Sequence, residues 1–250
     1  YKSLLKVLSA LLLIASCSPK QESDLMRDEL ANIYKKASMN PKSYYHMNKF
    51  RVEWMKKKAK DLPASKIMTH RYYLSQELLR AGLSEEAILE LNGIISDIGV
   101  RTDWMNNSTR SLIDELALAY LRLGEQVNCI ENHTGDSCII PIAEDGIQLK
   151  TESTKKAIDL YKKILKSYPN DLGSRWLLNI AYMSIGLYPD GVPKQYLVKG
   201  LEGNSSNKIS RFSNIAHEVG LATNGISGGL NVEDFNNDGH LDLFMTSYGL

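Results

Sequence analysis

Oxygen-bearing side chains recur at alternate positions near the C-terminal end of the sequence, in Asp234-Phe235-Asn236-Asn237-Asp238-Gly239-His240-Leu241-Asp242. Asp234, Asn236, Asp238 and Asp242 fall at positions one, three, five and nine of a D-x-N-x-D-G-x-x-D loop. In a tight turn alternate side chains point inward, and carboxylate and amide oxygens are the hard donors that suit Ca2+. Gly239 permits the positive φ that reverses the chain. His240 is expected to supply its backbone carbonyl and not its imidazole. The candidate metal site is therefore Asp234, Asn236, Asp238, His240 and Asp242, with Ca2+ as the expected cofactor.

The elements around this loop decide what kind of site it is. An EF-hand needs a bidentate Glu at position twelve, and that position is Met245, so a helix-loop-helix site is rejected. The flanks are rich in Leu, Val, Phe and Met, which predicts strands from Gly228 to Phe235 and from Leu241 to Ser247. No other catalytic signature accompanies the loop. The sequence has no nucleophile elbow, no phosphate-cradling glycine loop, no HExxH and no convincing Ser/His/Asp set. Catalysis is not expected from these residues, and an active site in a further C-terminal part is the alternative.

The second reactive group is the set of three cysteines, Cys17, Cys129 and Cys138. Tyr1-Lys2-Ser3 leads into an apolar stretch from Leu4 to Ala15, broken by Lys6 and Ser9 and stopped by Ser18-Pro19-Lys20. This run is too short to span a bilayer and has the order of a signal peptide. Ile14-Ala15-Ser16-Cys17 resembles the lipobox of bacterial lipoproteins. The resemblance implies cleavage ahead of Cys17, a lipid on its sulfur and a membrane partner through that anchor. It also implies an exported protein, placed in the outer membrane or on the cell surface of a Gram-negative bacterium. Because residue 1 is Tyr, the initiator Met is expected to precede it.

In an oxidising compartment the remaining pair, Cys129 and Cys138, is expected to form a disulfide across a polar turn. The alternative is a metal or redox site of Cys129, His133 and Cys138, but zinc would need a fourth ligand and reduced thiolates.

Charge excludes one class of partner. Thirty basic residues face 29 acidic ones, and Lys56-Lys57-Lys58 has no interleaved aromatics, so no nucleic-acid surface is expected. With 43% hydrophobic and 24% charged residues the chain can bury a core.

Between Asp24 and Gly186 the periodicity predicts helix after helix and no strand. The first two, Asp24 to Ser38 and Lys42 to Lys60, carry no motif and are expected to pack as an N-terminal cap. A repeat comes next. Leu74, Leu78 and Gly82 precede Ala87, Leu91 and Ile94; Leu116, Ala117, Tyr120 and Gly124 precede Ala157, Tyr161, Ile164 and Pro169; Leu178, Tyr182 and Gly186 begin a third unit. This spacing resembles the tetratricopeptide motif. In that motif a Gly closes helix A, a small Ala lets helix B cross closely, and the stacked units usually bind a partner. Gly124 and Ala157 are much further apart than the motif allows, so an insertion containing Cys129 and Cys138 is expected there.

The expected organisation is a signal peptide and lipidated Cys in 1–17, N-terminal helices in 18–70, and a tetratricopeptide-like domain in 71–188 with the insertion at 125–151. A linker in 189–227 then leads to strands in 228–250. The fold class is mainly α, ending in the first strands of a calcium-binding β-propeller.

A calcium loop between two strands resembles the FG-GAP or VCBS repeat of integrin-like propellers. Three stretches add to it: Leu116-Ala117-Leu118-Ala119-Tyr120-Leu121-Arg122-Leu123-Gly124-Glu125, Asn132-His133 with Ser137-Cys138-Ile139, and Trp176-Leu177-Leu178-Asn179-Ile180-Ala181-Tyr182-Met183 together with Tyr188-Pro189-Asp190-Gly191-Val192-Pro193. Together they resemble bacterial proteins of the cartilage acidic protein type, which also carry an ASPIC/UnbV domain. The resemblance implies further blades beyond Leu250 and a non-catalytic surface protein that binds a protein or glycan partner. The alternative is a glycan-capture lipoprotein similar to the SusD-like group, which combines a lipid anchor with tetratricopeptide helices but lacks such a calcium loop.

Overall fold

The structure, a computed structural model, describes residues 22–99, 106–132, 134, 140–201, 212–213, 215–222 and 226–248. Among the described residues it is mainly helical, with seven helices, about 60% helix and one small two-stranded sheet. The chain divides into two compact units between Met47 and Asn48.

The first unit contains α1 (Glu22–Met39). Residues from Pro41 to Met47 then form turns, with the N–H groups of Ser43 and Tyr44 donating to the carbonyl of Asn40. The helix expected from Lys42 therefore starts only at Asn48. Pro41 disfavours a helical Asn40, and the turn after it uses up the local carbonyls.

The second unit contains α2 (Asn48–Ala59), α3 (Ala64–Arg80), α4 (Ser84–Asp97), α5 (Asn107–Asn132), α6 (Glu152–Ser167) and α7 (Leu172–Ser184). Each helix packs on the next in sequence. The reason is visible in α6, where Ala157, Ile158, Leu160, Tyr161, Ile164 and Leu165 are buried while the lysines at 155, 156, 162, 163 and 166 lie outside that set. An apolar stripe at this spacing covers one helical face and must be buried against a neighbour. One core joins α4 to α7 through Leu91, Ile113, Tyr161, Ile164 and Leu178, and a second joins α2 and α3 to the start of α4 through Val52, Leu74, Leu78 and Ala87. Burying a Leu or Ile of this kind is worth about 1.5–3 kcal/mol. Ala87, Ala117, Ala157 and Ala181 have no measurable exposure, which leaves these helices no room for a larger residue.

Polar side chains fix the helix pairs in place. Glu77 of α3 is almost wholly buried, and its Oε1 accepts from Arg51 of α2 (3.0 Å) and from Arg80 (2.9 Å). Arg71 of α3 donates to Glu90 and Asp97 of α4. Arg110, in the first turns of α5, is ion-paired with Asp171 and lies over the ring of Tyr168. Asp171 also caps α7 by accepting the N–H of Ser174. The start of α5 is closed reciprocally: Asn106 Oδ1 accepts from Thr109 N, and Thr109 Oγ1 accepts from Asn106 N.

The glycines expected to end helices behave in two ways. Gly82 (φ +76°) ends α3 and Gly186 (φ +71°) ends α7, in each case with the next residue's N–H reaching back five positions, Leu83 to Leu78 and Leu187 to Tyr182. Gly124 does not end α5, which continues to Asn132. The expected insertion thus begins eight residues late, and its first part, including Cys129, is helix. A Cβ at Gly124 would overlap Oγ1 of the buried Thr154, so this glycine provides clearance and not a stop.

The segment after α7 also departs from expectation. The start of the expected linker packs on the helices through Val192, Tyr196 and Leu197, together with Tyr188 just before it. Between α5 and α6, Ile140-Pro141-Ile142 runs irregularly into a 3-10 turn at Glu144–Gly146. β1 (Ile226–Glu233) and β2 (Asp242–Tyr248) then form an antiparallel hairpin, in register from Glu233 opposite Asp242 to Ile226 opposite Tyr248, with a bulge at Ser227–Gly229.

Candidate cation-binding loop

The hairpin brings the expected metal-site residues into one turn. β1 and β2 close at the Glu233 and Asp242 pair, leaving Asp234 to Leu241 as the loop. Asn237 (φ 58°) and Gly239 (φ 85°) take left-handed backbone conformations and turn the chain back on itself. Asn accepts that conformation more readily than most residues, and Gly does so without steric cost.

The side chains order the loop by accepting its backbone N–H groups. Asp234 accepts from Asp238 through Oδ1 (3.1 Å) and from Gly239 through Oδ2 (2.9 Å). Asn236 Oδ1 accepts from Asp238 N (3.0 Å), and Asp238 Oδ1 accepts from His240 N (2.9 Å). Asp242 Oδ2 reaches back across the loop to Phe235 N (3.0 Å). Asn236 Nδ2 donates to Asp238 Oδ2 (2.9 Å), linking positions three and five directly. Asp234 and Asp242, at the two ends, are half-buried, and the residues between them are exposed.

Three carboxylates are held in one nine-residue stretch, and no cationic side chain is ion-paired with any of them among the described residues. A hard cation fits the chemistry of this set: carboxylate and amide oxygens with a turn that already curls inward. Among the described residues, however, no three His, Cys, Asp or Glu side chains are already drawn around one point. A cation would have to compete with the N–H groups for Asp234 and Asp238.

The hairpin that carries the loop has one apolar face, while its other face sets Phe244 among Asn231, Glu233, Asp242 and Thr246. Leu230 and Val232 lie opposite Met245 and Leu243, while Phe244 packs edge-on against Phe235 (6.1 Å between centroids), and all six side chains are largely exposed. A lone two-stranded hairpin is marginal in water.

The other expected sites lie elsewhere. Cys17, Cys138 and His133 are outside the described residues. Cys129 is in the last turn of α5, half-buried, where it lines a cavity of about 180 Å³ with Glu125, Ile142, Ile147 and Ile180. Among the described residues no helix is long and apolar enough to cross a membrane.

Two asparagines missing from the expected sites hold the irregular segments to the helices by the same device. Asn128 of α5 donates to Gly124 O one turn back and to Lys150 O, and its Oδ1 accepts from Leu149 N and Lys150 N. Asn179 of α7 donates to Arg175 O and Tyr196 O, and its Oδ1 accepts from Val198 N. Tyr188 strengthens the second clasp by donating to Val198 O (2.6 Å). Their only sequence signal is an amide inside an otherwise helical pattern.

Ionisable groups are also buried within the helical stack. Burial raises the pKa of Asp114 above the usual carboxylate range, with Asp171 adding to it, and burial likewise raises that of Glu115. Burial, together with Asp114, pushes the Tyr161 phenol far up, and its hydroxyl has no hydrogen-bond partner among the described residues. No protein-family profile, curated protein or solved structure matches the chain.

Proposed function

We propose that the chain is an exported, lipid-anchored binding protein, in which a stack of tetratricopeptide-like helices carries a calcium-binding module of the FG-GAP or VCBS type. The observation that carries this reading is the hairpin loop, where the spacing read from the sequence coincides with a turn built by Asp234, Asn236, Asp238 and Asp242. Calcium would be held by those side chains and the His240 carbonyl. Its chemistry there would be charge neutralisation, relieving the repulsion among the Asp234, Asp238 and Asp242 carboxylates and stiffening the turn between the strands.

The hairpin's exposed apolar face of Leu230, Val232, Leu243 and Met245 supports the propeller part, because a two-stranded hairpin needs further strands or another layer to bury such a face. The helical part is supported by burial of the repeat positions Leu74, Leu78, Ala87, Leu91, Ala117, Ala157, Tyr161 and Leu178. The function is then recognition of a protein or glycan, with Cys17 as the anchor.

Two measurements test it together. Labelled palmitate should enter the protein in a bacterial host and be lost in Cys17→Ser, and millimolar calcium should raise the thermal stability of the hairpin region. Failure of labelling removes the anchor, and indifference to calcium removes the module.

A further inference from the structure

Helix α1 carries an apolar stripe that its own unit does not cover. Met26, Leu30 and Ile33 recur at four-then-three spacing and are 61%, 56% and 49% exposed. That spacing is the a/d seam of paired helices, and the exposed stripe ends before Ala37, which is buried. The charges beside the seam are separated along the helix: Asp24, Asp28 and Glu29 with Arg27 lie in its first half, and Lys35 and Lys36 in its second.

We infer that α1 pairs with α1 of a second copy of this chain, and that the pair is antiparallel. Laid antiparallel about the midpoint between Leu30 and Ile33, Leu30 meets Ile33 of the copy, twice by symmetry, and Met26 extends the apolar contact at each end. Glu29 and Lys36 then flank the seam opposite one another, twice by symmetry, and Arg27 meets Tyr34 in the same way. A parallel pair would set acidic half against acidic half. A partner of uniform charge, including an anionic bilayer, would repel one half of the helix. Of these three arrangements the reversed copy complements both halves. Neither calcium nor the lipid at Cys17 enters this pairing.

The test uses the chain from Ser18 onward, which keeps every described element. Sedimentation equilibrium over a series reaching high micromolar concentration should show a monomer–dimer equilibrium. Leu30→Asp should raise its Kd at least about tenfold, with the helical circular dichroism of the chain unchanged. Glu29→Lys should weaken the dimer by about threefold, and adding Lys36→Glu to it should restore the original Kd, because the swapped charges again face each other. A monomer at every concentration, or a dimer indifferent to Leu30→Asp, overturns the inference. So does a double swap that fails to rescue, which would refute the antiparallel register. Equal binding of the original chain and the Glu29→Lys variant to anionic vesicles, without dimerisation, would assign the stripe to lipid and also overturn it.

Discussion

Gly124→Ala should destabilise the protein, although a helix interior ordinarily favours Ala. On propensity alone the substitution gains about 0.8–1.0 kcal/mol, because Gly124 lies well inside α5. The new methyl, however, would overlap Oγ1 of Thr154, which is fully buried and donates to Gln148 Oε1. Overpacking a filled site costs about 1–3 kcal/mol, and a buried hydroxyl forced off its partner costs about 1–3 kcal/mol more. The net loss is therefore about 1–5 kcal/mol once the propensity gain is subtracted. Removing the obstacle should reverse the sign. In a Thr154→Ala background, Gly124→Ala should be neutral or stabilising by up to about 1 kcal/mol. Urea denaturation of the four proteins in this cycle, at constant m, gives both numbers. If Gly124→Ala stabilises the original protein, or if its cost is the same with Ala at 154, the clearance explanation is wrong.

The Asn179 clasp gives a second expectation: Asn179→Ala leaves Val198 N–H and Tyr196 C=O without their partner and should lower Tm by about 5–10 °C. Hydrogen exchange should quicken at Val198 and not at Leu149 or Lys150; quickening at all three would mean global loosening instead. Glu115→Gln should raise Tm at neutral pH. Burial raises the folded pKa of Glu115 above its unfolded value, so the cost of its charge is fully present above the folded pKa and fades as pH falls toward the ordinary carboxylate range. A gain in Tm that persists unchanged at acid pH would contradict that cause. Peptide mapping of exported protein without reductant should yield a Cys129–Cys138 cross-linked peptide, and quantitative alkylation of both thiols before reduction would rule the bridge out.

Local periodicity sets how much of the structure is legible in the sequence. Ala87, Ala117 and Ala157 can be named as close-crossing positions because helical spacing fixes which face they share with Leu and Ile, and all three are fully buried. The hairpin is legible because apolar strand patterns flank a turn whose donors alternate. Its strands, expected at Gly228 and Leu241, begin at Ile226 and Asp242, within the one or two residues by which any element's end varies.

The departures have a common physical origin in contacts distant along the chain. Gly82, Gly124 and Gly186 look alike in sequence, yet only the first and last adopt positive φ. Thr154, on another helix, separates Gly124 from the other two, and no local pattern reports it. Asn128 and Asn179 carry no local signal of their roles because their partners lie about twenty residues further along, in segments without periodicity. The strap after α7 has the Pro, Gly and Asp content of a linker, although Tyr188, Val192 and Tyr196 have the apolar bulk to pack.

The central claim is that Asp234 to Asp242 is a calcium site. Calorimetric titration of the chain with calcium measures it directly, with Asp238→Ala alongside. One site per chain is predicted, with Kd of about 10⁻⁴–10⁻³ M or tighter, as in extracellular modules, abolished by the substitution while α1 to α7 keep their circular dichroism. No heat through the millimolar range, or equal binding by Asp238→Ala, would contradict it.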